Sequence, residues 1–368
     1  MPIDTLRAQI DATDERILEL LNERARLARA VGHEKSAASP GRPLPHMRDP
    51  ERERAVLDRL EALAKGEFPG AAVRAVFREV MSGCLSLEQP LHVAFLGPEG
   101  TFTQMAARYL FGLSAQYREA ATIEGVFDAV RTGDAALGVV AIENSTEGSV
   151  TLSADLLIEG SLMVREELIL YVEHALLARE KVAFSSVQRV YSHPQALAQC
   201  RGWLSKNLPA AQLVQTASTT SAAREALSDD AGAAVASPVA AEIHGLTILR
   251  ERIQDRKENA TRFIVIGKED APPSGNDRTT FAFSVSDERG ALRRVLSAFE
   301  DEGVNLSRIE SRPSQQKAWD YVFLTDLQGH RLDANVQRAL ENLRTSCAMV
   351  KVLGSYAHRD AVRLSSVP

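Results

Sequence analysis

The chain has little from which to build a disulfide framework or a cysteine metal site. Its three cysteines, Cys84, Cys200 and Cys347, lie far apart, in neither disulfide nor metal-ligand spacing. No apolar run approaches the roughly 20 residues of a bilayer-spanning helix. There is no basic block, and a net charge of −6 over 368 residues argues against nucleic acid or an anionic membrane as partner. The first residues are charged from Asp4 and lack the apolar centre of a signal peptide. Long repeats and low-complexity tracts are also missing. These absences predict a reduced, cytoplasmic protein, and the length predicts two or three domains.

What is present falls into three rhythms. Residues 3–35 read as one helix: Ile3, Ile10, Ile17 and Val31 repeat every seven, with Leu6, Leu20 and Leu27 at the complementary position. The Pro- and Ser-rich stretch 36–47 breaks it, and helical patterns resume over 50–64 and 70–88. Residues 1–90 thus form an all-α unit of three helices. From 91 to 270 short apolar strands alternate with helices, which predicts α/β architecture. Residues 269–277 (EDAPPSGND) read as a linker. The last segment, 278–357, reads strand, helix, strand, strand, helix, strand, the ferredoxin-like order.

Arg24 occupies an apolar position of the heptad seam. It is either paired with a carboxylate such as Glu23 or Glu53, kept as a register device, or turned toward an anionic ligand. Arg7 and Lys35 flank the same seam about 42 Å apart, too far for one small molecule to touch both. Arg24 and Lys35, about 16 Å apart, can converge on one metabolite. If Arg7 joins them, it must come from a second, antiparallel chain.

The pattern LRAQID..DERIL.LLNERA.LA..VG..K, with RDPERE (48–53) and FREVMSGCLSLE, resembles the all-helical chorismate mutase family, an intertwined dimer. The resemblance implies a substrate site of Arg7, Arg24, Lys35, Asp49, Arg52, Glu53, Cys84 and Glu88. Arginines would clamp the two carboxylates of chorismate. Lys35 and Glu88 would meet the ether oxygen as it gains charge. Some relatives have Ser and Gln where this chain has Cys84 and Glu88, and Glu donates to that oxygen only when protonated.

Four motifs stand at strand ends of the middle segment: GPEGTF (97–102), AIENSTEGSV (141–150), YSHPQALAQC (191–200) and ENATRF (258–263). Loops beyond strand C-termini are where open α/β sheets bind ligands. GPEGTF before a helix offers backbone N–H groups to an anion, and His193 is either a general acid or structural. Together the motifs resemble prephenate dehydratases, whose fold is two α/β lobes like those of periplasmic binding proteins. The resemblance implies Thr261 as donor to the departing hydroxyl, with Asn144, Ser192 and Gln199 lining the site and Glu143 and Arg262 in support. Ala141 replaces a common Pro.

Residues 279–356 look like an ACT domain. Its two phenylalanine motifs stand here as Gly290-Ala291-Leu292-Arg293 and Glu310-Ser311-Arg312-Pro313. Gly290 before a helix leaves room and N–H groups for a carboxylate, and Asn305 could accept from an ammonium. All three segments in this order resemble bifunctional chorismate mutase–prephenate dehydratases. The resemblance implies chorismate, prephenate and L-phenylalanine as ligands, no cofactor or metal, and a homodimer or tetramer. Periodicity alone equally permits a non-enzymatic small-acid sensor on a helical dimeriser; that reading leaves Arg24, Thr261 and Gln199 unexplained.

Overall fold

The computed structural model describes residues 2–38, 48–88, 90–286, 288–313 and 321–363. Two compact units emerge, one of the chain up to His92 with Leu110–Gln116, the other of nearly all the rest.

The first unit contains helices α1 (Ile3–Ala38), α2 (Pro50–Leu63) and α3 (Gly70–Ser86). α1 runs three residues beyond its expected end, and 39–47 of the expected break lie outside the described residues. Asp49 caps α2 by accepting from Arg52 N at 3.0 Å, with Pro50 first in the helix. α1 and α2 both pack on α3. The heptad residues of α1 form no core within the unit. Ile3, Leu6, Ile10, Ile17, Leu20, Leu27 and Val31 are each 41–63% exposed. The seam is thus an exposed apolar stripe along α1.

Next come β1 (His92–Leu96), α4 (Phe102–Phe111), β2 (Gln116–Ala120), α5 (Ile123–Thr132), β3 (Leu137–Asn144), β4 (Gly148–Ser149), α6 (Thr151–Glu159) and β5 (Met163–Tyr171). The chain then builds β6 (Ala175–Ala178), β7 (Arg189–Ser192), α7 (Pro194–Gln199), α8 (Arg201–Asn207), β8 (Gln212–Gln215), α9 (Thr219–Ser228), β9 (Gly232–Ala236), α10 (Pro238–His244) and β10 (Thr247–Arg250). It returns as β11 (Ala260–Gly267) between β3 and β5. One sheet therefore runs β2-β1-β3-β11-β5, with β4 hairpinned onto β3, and the other runs β10-β6-β9-β7-β8. Two α/β lobes result, as expected. α5 buries Val126, Phe127 and Val130 against Ala94, Val140 and Ile264 of the first. Between β7 and β8 the chain forms two short helices, α7 and α8, parting at Cys200.

β12 (Asp277–Ser284), α11 (Ala291–Asp301), β13 (Leu306–Pro313), β14 (Tyr321–Gln328), α12 (Ala334–Ser346) and β15 (Met349–Ala357) follow in the expected βαββαβ order. They form the sheet β13-β14-β12-β15. α11 and α12 cover one face over Phe281, Phe283 and Leu327. The other face places Ala282, Leu324, Leu353 and Tyr356 in one core with Val140 and Ile264 of the first lobe. A Cβ at Gly354 would stand 2.2 Å from the Val164 carbonyl oxygen, so only glycine admits this approach. The expected linker 269–277 is irregular as far as Asn276, with Asp277 opening β12, and it is fastened to the C-terminal sheet. Ala271 N donates to Ser355 O at 3.2 Å, and Asp270 pairs with Arg331 at 2.7 Å. Pro and Gly mark the irregular backbone there, while buried Asp270 and Asp277 fasten it. Beyond β15, Val362 lies along β5, exchanging backbone hydrogen bonds with Tyr171 and Ile169 at 3.0 and 2.8 Å.

Candidate active sites

In the helical unit, Arg24 Nη1 donates to Val80 O at 3.5 Å and makes no ion pair among the described residues. Glu53 is held by Arg48 at 2.9 Å, so the expected pairing of Arg24 with Glu53 is not seen. The side chain of Glu88 lies against Gly32, where a Cβ would approach its Oε2 to 2.9 Å. Lys35, three residues on, shares that face of α1, which gathers Lys35 and Glu88 at one end of the helix. Cys84 is buried on α3, Arg52 is exposed, and the Asp49 carboxylate caps α2. Arg7 stands at the far end of α1, 3.8 Å from Asp4. A hollow of about 730 Å³ lined by Glu19, Asn22, Arg26, Arg29 and Leu87 holds none of the expected residues.

In the α/β body, the antiparallel register sets Thr261 opposite Asn144 and Arg262 opposite Glu143. Cross-strand partners share a face and successive residues alternate. Thr261 and Asn144 consequently meet on one face. Asn144 Nδ2 donates to Thr261 Oγ1 at 2.9 Å and to Asn259 Oδ1 at 3.0 Å. Asn144 Oδ1 accepts from Thr146 N at 2.9 Å and Thr146 Oγ1 at 2.6 Å. With its amide saturated, Asn144 is fixed, and Thr261 receives a hydrogen bond that leaves its own hydroxyl proton to donate.

Beside this pair is a cavity of about 300 Å³ between the lobes, lined by Thr146, Glu147, Gln199, Gln254, Arg256 and Asn259 among others. Gln199, at the end of α7, is oriented from behind. Its Oε1 lies 2.7 Å from His174 Nε2, and its Nε2 donates to Glu147 at 3.4 Å. Burial pushes the His174 imidazole below its ordinary value, against the Gln199 bond, so the ring is neutral at pH 7. A neutral ring donating from Nε2 turns the Gln199 NH2 group toward the cavity. Phe102 of the GPEGTF loop packs edge-on against His174 at 5.6 Å.

That loop is not a free anion cradle: Gly100 N donates to Gln104 Oε1 at 2.7 Å. Its carbonyls accept from the second lobe, Glu99 O from Thr220 and Gly100 O from Ser237, both at 2.9 Å. Ser192 is fully buried and donates to Val235 O at 2.5 Å, apart from the Thr261 cluster. His193 caps α7, accepting from Gln195 N at 3.4 Å. Sequence reading missed Asn259, whose buried Nδ2 has no partner among the described residues, and Arg256, a cation on the cavity wall. Position in ENATRF and its approach could have flagged both.

Arg262 turns to the opposite face of β11, away from Thr261, and is 8% exposed. It meets Glu167 at 2.8 Å, Asp326 at 2.5 Å and the Tyr356 hydroxyl at 2.6 Å. Arg278 Nη1 and His358 Nδ1 reach the same Glu167 at 2.7 and 2.8 Å. Burial opposes ionisation of Glu167, but His358, Arg262 and Arg278 outweigh it and hold the carboxyl below its ordinary range. Asp326 is likewise held down, mainly by Arg262 against burial.

In the C-terminal module, Gly290 caps the start of α11 at φ +78° and Ala291 is buried after it, with Leu292 packed on the helix-side core. Ser311 and Pro313 are exposed, as is Asn305, whose carbonyl accepts from Gln328 N at 2.9 Å. Glu310 and Arg312 face the other way, into the α/β body. Arg312 donates to Asp155 at 2.7 Å and Thr151 O at 2.9 Å, and Glu310 accepts from Ser149.

A helical unit, a two-lobed α/β body with a polar cavity and a βαββαβ module define a multidomain enzyme class, and family models match in that order. Residues 6–89 match chorismate mutase type II, 93–271 prephenate dehydratase, and 279–345 the ACT domain. A bifunctional chorismate mutase/prephenate dehydratase from Aquifex aeolicus (strain VF5) is 46% identical, covering 95% of this chain and 96% of the relative. Another, from Escherichia coli (strain K12), is 31% identical over 98% and 97%. The crystal structure of prephenate dehydratase in complex with L-Phe from Arthrobacter aurescens superposes with a TM-score of 0.68 at 37% identity, over 74% of this chain and 92% of that one. The chain belongs to the bifunctional chorismate mutase/prephenate dehydratase family.

Proposed function

We infer that this chain is a bifunctional enzyme of phenylalanine biosynthesis. It rearranges chorismate to prephenate in the helical unit, then converts prephenate to phenylpyruvate, CO2 and water in the α/β body, under feedback inhibition by L-phenylalanine. The observation that carries the second reaction is the Asn144–Thr261 pair beside a cavity flanked by Gln199.

In that step the bond from the ring to its carboxylate breaks and CO2 leaves. The electron pair enters the ring as the 4-hydroxyl departs, and that hydroxide must take a proton to become water. Thr261, with Asn144 occupying its acceptor side, donates to the departing oxygen. Gln199 and Arg256 offer donors to the substrate carboxylates. Aromatisation supplies the driving force, so no cofactor is required.

For the mutase step, Arg24 and Lys35 supply cations free of ion pairs among the described residues, and Glu88 lies against Gly32, one turn before Lys35. Arg7 completes the site from a partner chain lying antiparallel along the bare α1 seam, which makes the working unit a dimer. We assign the three units to 1–90, 91–270 and 278–357. L-phenylalanine would bind where Gly290 and Ser311 share the helix side of the C-terminal sheet. No helix among the described residues is long and apolar enough to cross a membrane, and the three cysteines are free; both support a cytoplasmic enzyme.

Incubating the pure protein with chorismate and following phenylpyruvate absorbance in alkali tests the assignment. Phenylpyruvate should appear after a lag set by prephenate build-up, and L-phenylalanine should slow it. Prephenate accumulating without phenylpyruvate would remove the dehydratase assignment.

A further inference from the structure

β3 ends at Asn144, turns through Ser145–Glu147 and returns as β4, with Glu143 opposite Ser149 and Asn144 opposite Gly148. One face of this hairpin carries the Asn144–Thr261 bond, and its tip supplies Thr146 and Glu147 to the cavity. The other face belongs to β13. Arg308 Nε is 3.3 Å from Glu143 Oε2, and Arg308 Nη2 donates to Ser149 Oγ. Ser149 in turn donates to Glu310, which also binds Arg308 at 2.5 Å. One guanidinium thus grips both legs of the hairpin behind the reacting face.

β13 has two distinct faces. Arg308, Glu310 and Arg312 point inward to the α/β body, whereas Ser307, Ile309, Ser311 and Pro313 are exposed on the outer one. The strand lies at the edge of its sheet. The outer face and the inner contacts are therefore borne by one backbone, because successive residues alternate between the faces. Arg308 also has slack. It is only 12% exposed, yet its Nη1 lacks a hydrogen-bond partner among the described residues and stands 4.0 Å from Asp326 Oδ2. A small shift of β13 would close that gap and alter the pull on Glu143.

We propose that Arg308 is a positioning residue for the dehydratase reaction, holding hairpin 143–149 so that Asn144 and Glu147 stand in register at the cavity, and relaying the state of the outer face of β13 to them. The proposal rests on the dehydratase reading above. It assigns a role to a residue in none of the recognised motifs.

The test uses the full-length chain with Arg308→Met and the conservative Arg308→Lys. Arg308→Met should lower dehydratase kcat about tenfold or more, as misplacement of reacting groups does, with KM changed less than about threefold. Mutase activity should be unchanged. L-phenylalanine should bind Arg308→Met by calorimetry within about threefold of the parent yet inhibit it far less, since coupling is lost and not affinity. Arg308→Lys should recover part of both. Hydrogen exchange over residues 143–149 should quicken in Arg308→Met, and this readout does not depend on activity. If Arg308→Met fails to fold, Ser149→Ala replaces it, with a smaller fall in kcat expected at constant KM. An unchanged kcat, unchanged inhibition and unchanged exchange in a folded variant overturn the proposal. A parent that exchanges slowly over 143–149 but makes no phenylpyruvate would instead refute the dehydratase reading, while exchange in the variant still decides the role of Arg308.

Discussion

Thr261 and Arg262 are neighbours in sequence and stand on opposite faces of β11. Thr261 Oγ1 accepts from Asn144 at 2.9 Å, whereas Arg262 Nη1 meets Asp326 of the C-terminal sheet at 2.5 Å. One strand therefore carries the reacting hydroxyl forward and the domain contact behind. Arg262 is placed to anchor the C-terminal sheet to the strand that bears Thr261.

Arg262→Ala should destabilise the α/β body by about 3–5 kcal/mol, the usual cost of removing one partner from a buried ion pair. Among the described residues Asp326 would keep the Thr280 hydroxyl and the more distant Arg308, and Glu167 would keep Arg278 and His358. Urea denaturation followed by tryptophan fluorescence measures it. A midpoint within error of the parent would show that the network carries no net stability.

The same network predicts acid sensitivity. Glu167 and Asp326 have folded values below their unfolded ones. Their stabilising contribution is therefore complete above the unfolded values and is lost as pH falls, from about pH 5 downward. Thermal unfolding of the parent should drop over that range, and Glu167→Gln should flatten the dependence while lowering stability at pH 7. A parent Tm that is flat from pH 6 to 3.5 would contradict this.

Arg7 and Lys35 cannot meet within one α1. Mixing Arg7→Ala chains with Lys35→Ala chains should restore mutase activity, since each heterodimer holds one site with both side chains intact. With random exchange about half the dimers are mixed, so roughly a quarter of parent activity is the expected ceiling. Verified subunit exchange without recovery would exclude the antiparallel arrangement.

Much of this was legible in the sequence because it is periodic or local. The heptads of α1 gave its helix and its bare seam, and the βαββαβ order followed from strand-helix alternation. Edge strand β2, QYREA, went unseen because its residues are mostly exposed and show no apolar alternation. Thr261, Asn144 and Gln199 were recognisable as motif residues, but His174 behind Gln199 is set by tertiary contact alone. The ENATRF resemblance groups Arg262 with the substrate site, and only register shows that it and Thr261 face apart. Segment 269–277 has the composition of a linker, and what fastens it is buried Asp270, whose partners Arg331 and Ser355 lie some 60 to 85 residues away, while Asp277 folds the turn by accepting from Ser274 and Gly275.

The most direct measurement is the pair of rates in Thr261→Val, which keeps the shape of the side chain and removes its hydroxyl. Prephenate conversion should fall by about 100-fold or more, the scale expected for loss of a donor to the reacting group. Chorismate conversion by the same sample should stay within roughly twofold of the parent, because the mutase residues lie in the other unit. Arg24→Ala should show the reverse pattern. Dehydratase activity persisting near the parent rate in Thr261→Val, or both activities falling together in a folded sample, would contradict the placement of two separate sites in this chain.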